Sequence, residues 1–287
     1  MMNFQQSFKG AKSTGTLYLV PTPIGNLDDM TFRAVKTLQT VDLIASEDTR
    51  NTQKLLNHFE IETLQESFHE HNSGLKLSKM LQFLASGKSL AQVSDAGLPS
   101  ISDPGHDLVL ACISEGIDVV ALPGASAAIT ALIASGIAPQ PHLFYGFLPR
   151  QKSEQVAFLT EKMAYPESQI FYESPHRVAA TLTNMLAVYG DREVAFVREL
   201  TKLFEEYRRG RISEVLASLE THPIKGECLI IVSGSDEVAQ DEAADLTDLE
   251  AVAALIQAGE KPNAAIKKVA KIRGLVRQEL YQSYHEL

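Results

Sequence analysis

From residue 16 to residue 138, short apolar runs alternate with longer segments whose apolar positions recur three and four apart. TLYLV (Thr16–Val20), VDLIAS (Val41–Ser46), SLAQVS (Ser89–Ser94) and DVVALP (Asp118–Pro123) read as strands. DDMTFRAVKTLQ (Asp28–Gln39) and TRNTQKLLNHF (Thr49–Phe59) read as helices between them. Continuous apolar runs with intervening helices imply a parallel sheet covered on both faces. The pattern changes after Pro139, Pro141 and the phrase FYGFLPR (Phe144–Arg150), which is expected to act as a hinge. Beyond it SQIFYES, REVAFVREL, LFEEYRRGR and ECLIIVS are strand candidates. Only Thr201 and Lys202 separate the second from the third, which favours an antiparallel hairpin. A mixed sheet is therefore expected, with helices at 175–189 and 212–220.

The segment Asp236–Glu250 holds seven acidic and no basic residues, the pattern of a solvated linker or helix start. LTDLEAVAALIQAG follows as a helix closed by Gly259, then KPNAAIKKVAKIRG with Pro262 in its first turn and Gly274 at its end. VRQELYQSYHEL completes what resembles a helix-turn-helix. The expected organisation is an α/β chain. A disordered start spans 1–14, a parallel-sheet domain 15–140 and a mixed-sheet α/β domain 141–235. An acidic linker spans 236–246 and a helical unit 247–287.

Length and composition agree, since 287 residues with 45% hydrophobic and 22% charged content can bury more than one core. Cys112 and Cys228 are far apart and lie in apolar runs, which excludes a disulfide framework and points to small core residues. No Cys-x-x-Cys or mixed Cys/His cluster is present, and His69 and His71 lack a third ligand nearby, so no metal is expected. The first fifteen residues carry no apolar core of a signal peptide. The long uncharged run from Val119 is broken by Pro123-Gly124 and studded with small residues, so a cytoplasmic, membrane-free protein is expected.

A net charge of −10 disfavours general nucleic-acid binding. Locally the balance reverses: Lys261 to Arg277 holds six basic residues and no acid. This stretch is read either as a phosphate-contacting surface or as an ordinary solvated helix face. Arg208, Arg209 and Arg211 offer the same choice between RNA contact and protection of an edge strand.

Three turns end buried strands with residues that admit close backbone approach to a ligand. They supply Pro21, Pro23 and Gly25; Asp95, Gly97 and Ser100; and Gly124 and Ser126 at a helix start, where amides favour an acceptor group. Glu47 and Asp48 follow another strand, with Arg50 placed to clamp a phosphate. Asp48 reads equally well as a helix cap. Glu173, His176 and Arg177 form a second polar cluster at a strand end, with Arg177 a phosphate candidate. Neither G-x-G-x-x-G, nor a P-loop, nor G-x-S-x-G occurs. The residues alone thus lead to a ligand site between two α/β domains.

The ordered set LYLVPTPIGNLDDMT, ASEDTR, VSDAGLPSISDPG, LPGASAAITALIASG, FYGFLPR and FYESPHR resembles the tetrapyrrole-methylase superfamily of S-adenosylmethionine (SAM) methyltransferases. Within it the chain is similar to the bacterial branch that methylates ribose 2'-hydroxyls of ribosomal RNA. The resemblance spans about residues 15–285. It implies SAM folded in the interdomain cleft, against the loop with Pro23 and Gly25, Asp95, Leu98, Ser100, Ser126 and Ala127. Tyr172, Leu203 and Glu227 are implied on the second-domain side. It further implies transfer to a cytidine in the decoding region of 16S rRNA, within the small ribosomal subunit, by a homodimer. The Gly-Asp-Pro of the precorrin and diphthine branches is replaced by Ser94-Asp95-Ala96, which points toward the RNA branch. Two alternatives remain at this point: a tetrapyrrole-type small-molecule methyltransferase, and a ligand-sensing regulator that binds nucleic acid without turnover.

Overall fold

Five parallel strands build the first layer, and their side chains alternate between two separate cores. In this computed structural model residues 5–6, 13–69, 73–101, 105–221, 224–235, 246–257, 259–273 and 275–285 are described. Strands β1 (Thr16–Leu19), β2 (Leu43–Ser46), β3 (Gln65–Ser67), β4 (Leu90–Val93) and β5 (Asp118–Ala121) lie in the order β3-β2-β4-β1-β5. Helices α1 (Phe32–Thr40), α2 (Thr49–His58), α3 (Ser73–Ala85) and α4 (Gly105–Ser114) connect them. Ile44, Ala91 and Val93 face one core with Leu38 and Leu56. Leu17, Ala45 and Leu90 face the other with Met80, Leu84 and Leu108. Period-two alternation thus serves both covered faces of one sheet.

The second sheet has the order β6-β7-β10-β8-β9. Its strands are β6 (His142–Phe147), β7 (Ser168–Glu173), β8 (Glu193–Arg198), β9 (Glu206–Arg211) and β10 (Cys228–Val232). β6 runs parallel to β7, and the other pairings are antiparallel, so the sheet is mixed and β8–β9 is the expected hairpin. Helices α6 (Lys152–Lys162), α7 (Val178–Tyr189) and α8 (Ile212–Thr221) accompany it. The supposed hinge phrase is instead largely strand. It contains a bulge between Phe144 and Gly146, with Gly146 at φ 67°. Residues three apart in a regular strand face opposite sides. The bulge brings Phe144 and Phe147 to the same side, with ring centroids 5.0 and 5.6 Å from that of Tyr172. Tyr145 turns the other way and stacks on Phe171 at 5.4 Å.

Helix α5 (Ala127–Ser135) couples the two layers. It follows β5, yet Ala128, Ala131 and Leu132 pack with Ile170, Ala195, Val197, Leu229 and Ile231 of the second sheet. Its alanines permit this close approach. Three C-terminal helices, α9 (Asp248–Gln257), α10 (Pro262–Arg273) and α11 (Arg277–His285), enclose their own core of Val252, Ile266, Val269 and Leu280. A capping box starts the first: Glu250 accepts from the Thr247 N–H at 2.8 Å, and Thr247 Oγ1 accepts from the Glu250 N–H at 3.4 Å. Gly259, at φ 99°, ends it as expected.

Most of the expected disordered start and of the acidic linker, together with Gly274, lies outside the described residues. Gln5 is described, and its side-chain amide exchanges bonds of 2.9 and 3.0 Å with the Val119 backbone, against the expectation of a loose start at that point. Cys112 and Cys228 are buried free thiols, which burial pushes up to about 12. Among the described residues no helix is long and apolar enough to cross a membrane.

Candidate active site

The C-terminal ends of parallel strands point the same way, so the turns after β1, β2, β4 and β5 gather at one sheet edge. Two backbone bonds of 3.0 Å join Thr22 to Gly97 and lock the first of these turns to the third. Gly97 takes φ 76°, and a Cβ there would press on Ile24 and the Ala125 carbonyl. Gly124 is similarly constrained, since a Cβ would run into Pro21.

Asp95 stands at the centre of this edge and joins the third turn to the second. Its N–H donates to Glu47 Oε2 at 3.1 Å. Its Oδ1 accepts from the Asp48 N–H at 3.1 Å, and its Oδ2 from Asn51 Nδ2 at 3.2 Å. Each oxygen retains acceptor capacity, and the residue is exposed to the cleft. Asp48 faces a different task. It caps α2 by accepting from the Arg50 N–H at 2.8 Å, and the Arg50 guanidinium grips it at 3.1 and 2.8 Å. The side-chain bond from Arg50, with that backbone bond, holds its carboxyl down at about 2. The capping reading therefore prevails over the base reading at Asp48, and Arg50 is already paired.

The cleft between the sheets has a volume of about 720 Å³. Glu47, Asp95, Gly97 and Leu98 line it from the first sheet, and Ser126 and Ala127 from the start of α5. Tyr172, Val197, Glu227 and Leu229 line it from the second, with Phe144 and Phe147. Burial pushes the Tyr172 phenol up. Ser126 makes no side-chain cap, and within the first turn of α5 the Ala128 N–H donates to the Tyr172 hydroxyl oxygen instead. A smaller chamber of about 320 Å³ adjoins the cleft, sharing Ile24, Ser94, Asp95, Ala96 and Glu227 with it. Pro23 and Gly25 line this chamber rather than the main cleft.

Four other expected site residues lie off both walls. Ser100, at φ 70°, and Gly124 shape the turns. Leu203 is 90% exposed at the β8–β9 turn, next to Lys202 of the smaller chamber. Arg177 is spent on structure: it donates to the Pro149 and Leu148 carbonyls at 2.8 and 3.3 Å and faces Glu173 at 3.4 Å. His176 is exposed beside it. The arginines of β9 are likewise engaged. Arg209 donates to the Ala134 carbonyl at 2.7 Å, Arg208 to that of Ser218 at 2.9 Å and Arg211 to that of Asp191 at 3.1 Å. They fasten the edge strand. Sequence reasoning missed Asn51, Lys54 and Lys202, which line the smaller chamber. Their only signal was proximity to turns that had already been singled out. Among the described residues no cluster of His, Cys, Asp and Glu could hold a metal ion.

Residues 16–216 match the tetrapyrrole (corrin/porphyrin) methylases. The chain belongs to this family, and its fold is the family's: two sheets with alternating helices, followed here by C-terminal helices. It is 64% identical over 287 residues to a ribosomal RNA small subunit methyltransferase I of Streptococcus pyogenes serotype M1, covering 100% of both chains. To the protein of that name in Bacillus subtilis (strain 168) it is 51% identical over 289 residues, covering 99% of each. Within the family the chain therefore groups with the ribosomal RNA small subunit methyltransferase I proteins. A solved uroporphyrin-III C-methyltransferase of Thermus thermophilus, complexed with S-adenyl homocysteine, shares the fold with a TM-score of 0.52 and 18% identity, over 76% of this chain and 97% of that one.

Proposed function

We propose that this protein transfers a methyl group from SAM to the ribose 2'-hydroxyl of a cytidine in the decoding region of 16S rRNA. The observation that carries this reading is the cleft centred on Asp95, in a chain 64% identical over its full length to a protein named for small-subunit rRNA methylation. The donor set suits SAM. Leu98, Val197 and Leu229 offer apolar walls, Asp95 offers acceptors for ribose or amino groups, and Ser126 and Ala127 at the start of α5 offer polar contacts for a carboxylate. Bound SAM supplies a methyl group activated by sulfonium.

The protein's own contribution is alignment of the acceptor oxygen with that methyl, worth up to roughly 7–11 kcal/mol in ideal cases. The new O–CH3 bond forms as the S–CH3 bond breaks, and the hydroxyl proton must leave. In this reading Glu47 receives it: it lines the cleft beside Asp95, whose carboxylate is kept for the ligand, and Glu227 is paired with Lys202. Glu173, also on the wall, is saturated by its own partners, and Asp48 is held ionised by Arg50. A general base of this kind contributes about 10²- to 10⁴-fold.

The C-terminal helices dock RNA in this reading. Lys261, Lys267 and Arg277 are exposed there, while Arg273 and Lys268 pair with Asp248 and Glu260 at 2.7 and 2.9 Å. The protein works in the cytoplasm as a homodimer. Exposed apolar side chains near the cleft mouth support this, Ile129 being 44% and Ile133 73% exposed on one face of α5. The test is incubation with radiolabelled SAM and small ribosomal subunits lacking the modification, followed by mapping of the labelled nucleotide. Label on a decoding-region ribose is expected. Labelling of no RNA despite SAM binding overturns the RNA substrate.

A further inference from the structure

We infer that the 320 Å³ chamber beside the cleft is the seat of the acceptor nucleotide, with Lys54 holding its phosphate. This inference rests on the RNA-methylating reading above and adds to it a place and a residue.

Methyl transfer needs donor and acceptor on opposite sides of the moving carbon, so a transferase needs two adjoining compartments with a common boundary. The structure has them. The larger compartment carries the apolar walls and the start of α5. The smaller one meets it along Ile24, Ser94, Asp95, Ala96 and Glu227, the last paired with Lys202. Its volume lies at the lower end of ligand pockets, about 300 Å³, a size suited to one nucleotide unit rather than a macrocycle. A ribose hydroxyl within a folded strand reaches such a chamber only when its nucleotide is splayed out, the usual posture of a recognised single-stranded base.

Electrostatics single out one cation. Lys202 lines the chamber, but its ammonium lies 3.0 Å from Glu199 and 3.0 Å from Glu227. Its stem packs so tightly on Gly25 that a Cβ there would sit 2.5 Å from Lys202 Cγ. Lys202 therefore acts as a neutralised wall that ties the second sheet to the first turn. Lys54, on α2, also lines the chamber, exposed and without an ion pair among the described residues. In a chain of net charge −10, an unneutralised lysine on a chamber wall is where a polyanion gains most. Asn51, one turn earlier, presents an amide whose other bond holds Asp95 in register.

The test compares the wild type, Lys54→Glu and Leu27→Trp, in full-length protein. Leu27 lies on the chamber wall and is 41% exposed, so a larger side chain narrows the chamber without disturbing a core. Affinity for S-adenosylhomocysteine is measured by calorimetry, and transfer kinetics on unmodified small subunits are measured in parallel. A photo-crosslinking amino acid in place of Leu27 gives a readout that does not depend on turnover. Expected are at least a tenfold rise in the subunit KM for Lys54→Glu, a loss of transfer for Leu27→Trp, and S-adenosylhomocysteine affinity within twofold of wild type for both. The crosslink should map within a few nucleotides of the methylated ribose. An unchanged KM in Lys54→Glu, or crosslinks only to distant RNA, overturns the acceptor seat even though the wild type methylates the subunit. A wild type that labels no RNA sinks the functional reading itself.

Discussion

Asp95 and Glu173 look alike in sequence, each an acid just past or at the end of an apolar strand and beside small turn residues, but the structure gives them opposite tasks. Asp95 is exposed, and each of its carboxylate oxygens accepts a single bond from the protein. Glu173 is 2% exposed and enclosed. Its Oε1 accepts from the Ser174 N–H at 2.8 Å and faces Arg177 at 3.4 Å, while its Oε2 accepts from Thr181 Oγ1 at 2.7 Å. Thr181 in turn accepts from Gln155, which accepts from Asn184. A saturated carboxylate holds a fold together; one with lone pairs left open can hold a ligand.

The largest break in this contrast is expected from Glu173→Ala. It strands the Thr181 hydroxyl, the Ser174 amide and the Arg177 guanidinium around a buried gap. Losing one partner of such a buried set costs about 3 kcal/mol. Urea unfolding should show this as a lowered midpoint with little change in slope. A midpoint equal to wild type would mean that water replaces the carboxylate there at no cost.

Asp95→Ala should give the reverse profile. Its partners, the Asp48 N–H and the Asn51 amide, lie where water can reach them, so unfolding should change little. Ligand affinity should fall, because hydrogen bonds to a charged group contribute about 1.5–3 kcal/mol, or roughly 10- to 150-fold. Calorimetric titration with S-adenosylhomocysteine decides this. Unchanged affinity would remove Asp95 from the ligand site.

That the two acids cannot be told apart in sequence marks the limit of what is legible there. The strands of the first sheet are readable because both faces are buried and their runs stay apolar, as in Leu17, Val20, Ile44 and Leu90. Strand β3 escapes notice because its three residues, Gln65, Glu66 and Ser67, are polar and lie at an edge. The small residues of α5 are visible, but their purpose is not: the sheet they pack against comes from strands that begin more than thirty residues later. The facing of Phe144 and Phe147 depends on a single bulge that alternation alone would deny. Lys54 sits in a helix of polar residues and looks solvated until the chamber wall is seen. Asp48, by contrast, was legible as a cap, since an acid directly before Thr49 and Arg50 fits an N-terminal position.

The smallest expected effect belongs to that cap, and it sharpens the contrast by adding a third acid at the same edge. Asp48 has its carboxyl lowered from 3.8 to about 2, first by the side-chain bond from Arg50 and then by the Arg50 N–H. A folded value below the unfolded one means that ionised Asp48 favours the folded state above pH 3.8 and that this contribution fades as pH falls towards 2. Asn at position 48 keeps the cap but loses the charge. Wild type and Asp48→Asn should therefore differ slightly in thermal midpoint at pH 6 and converge as pH drops from 4 to 2. Because Arg50 is 87% exposed, that difference should be small and should shrink further in salt. Carbon-detected titration of the Asp48 carboxyl should give a midpoint near 2. An acid held that low makes a poor proton acceptor at neutral pH, so Asp48→Asn should keep transfer within a few-fold of wild type. If transfer is lost while S-adenosylhomocysteine still binds, Asp48 and not Glu47 is the residue that takes the proton.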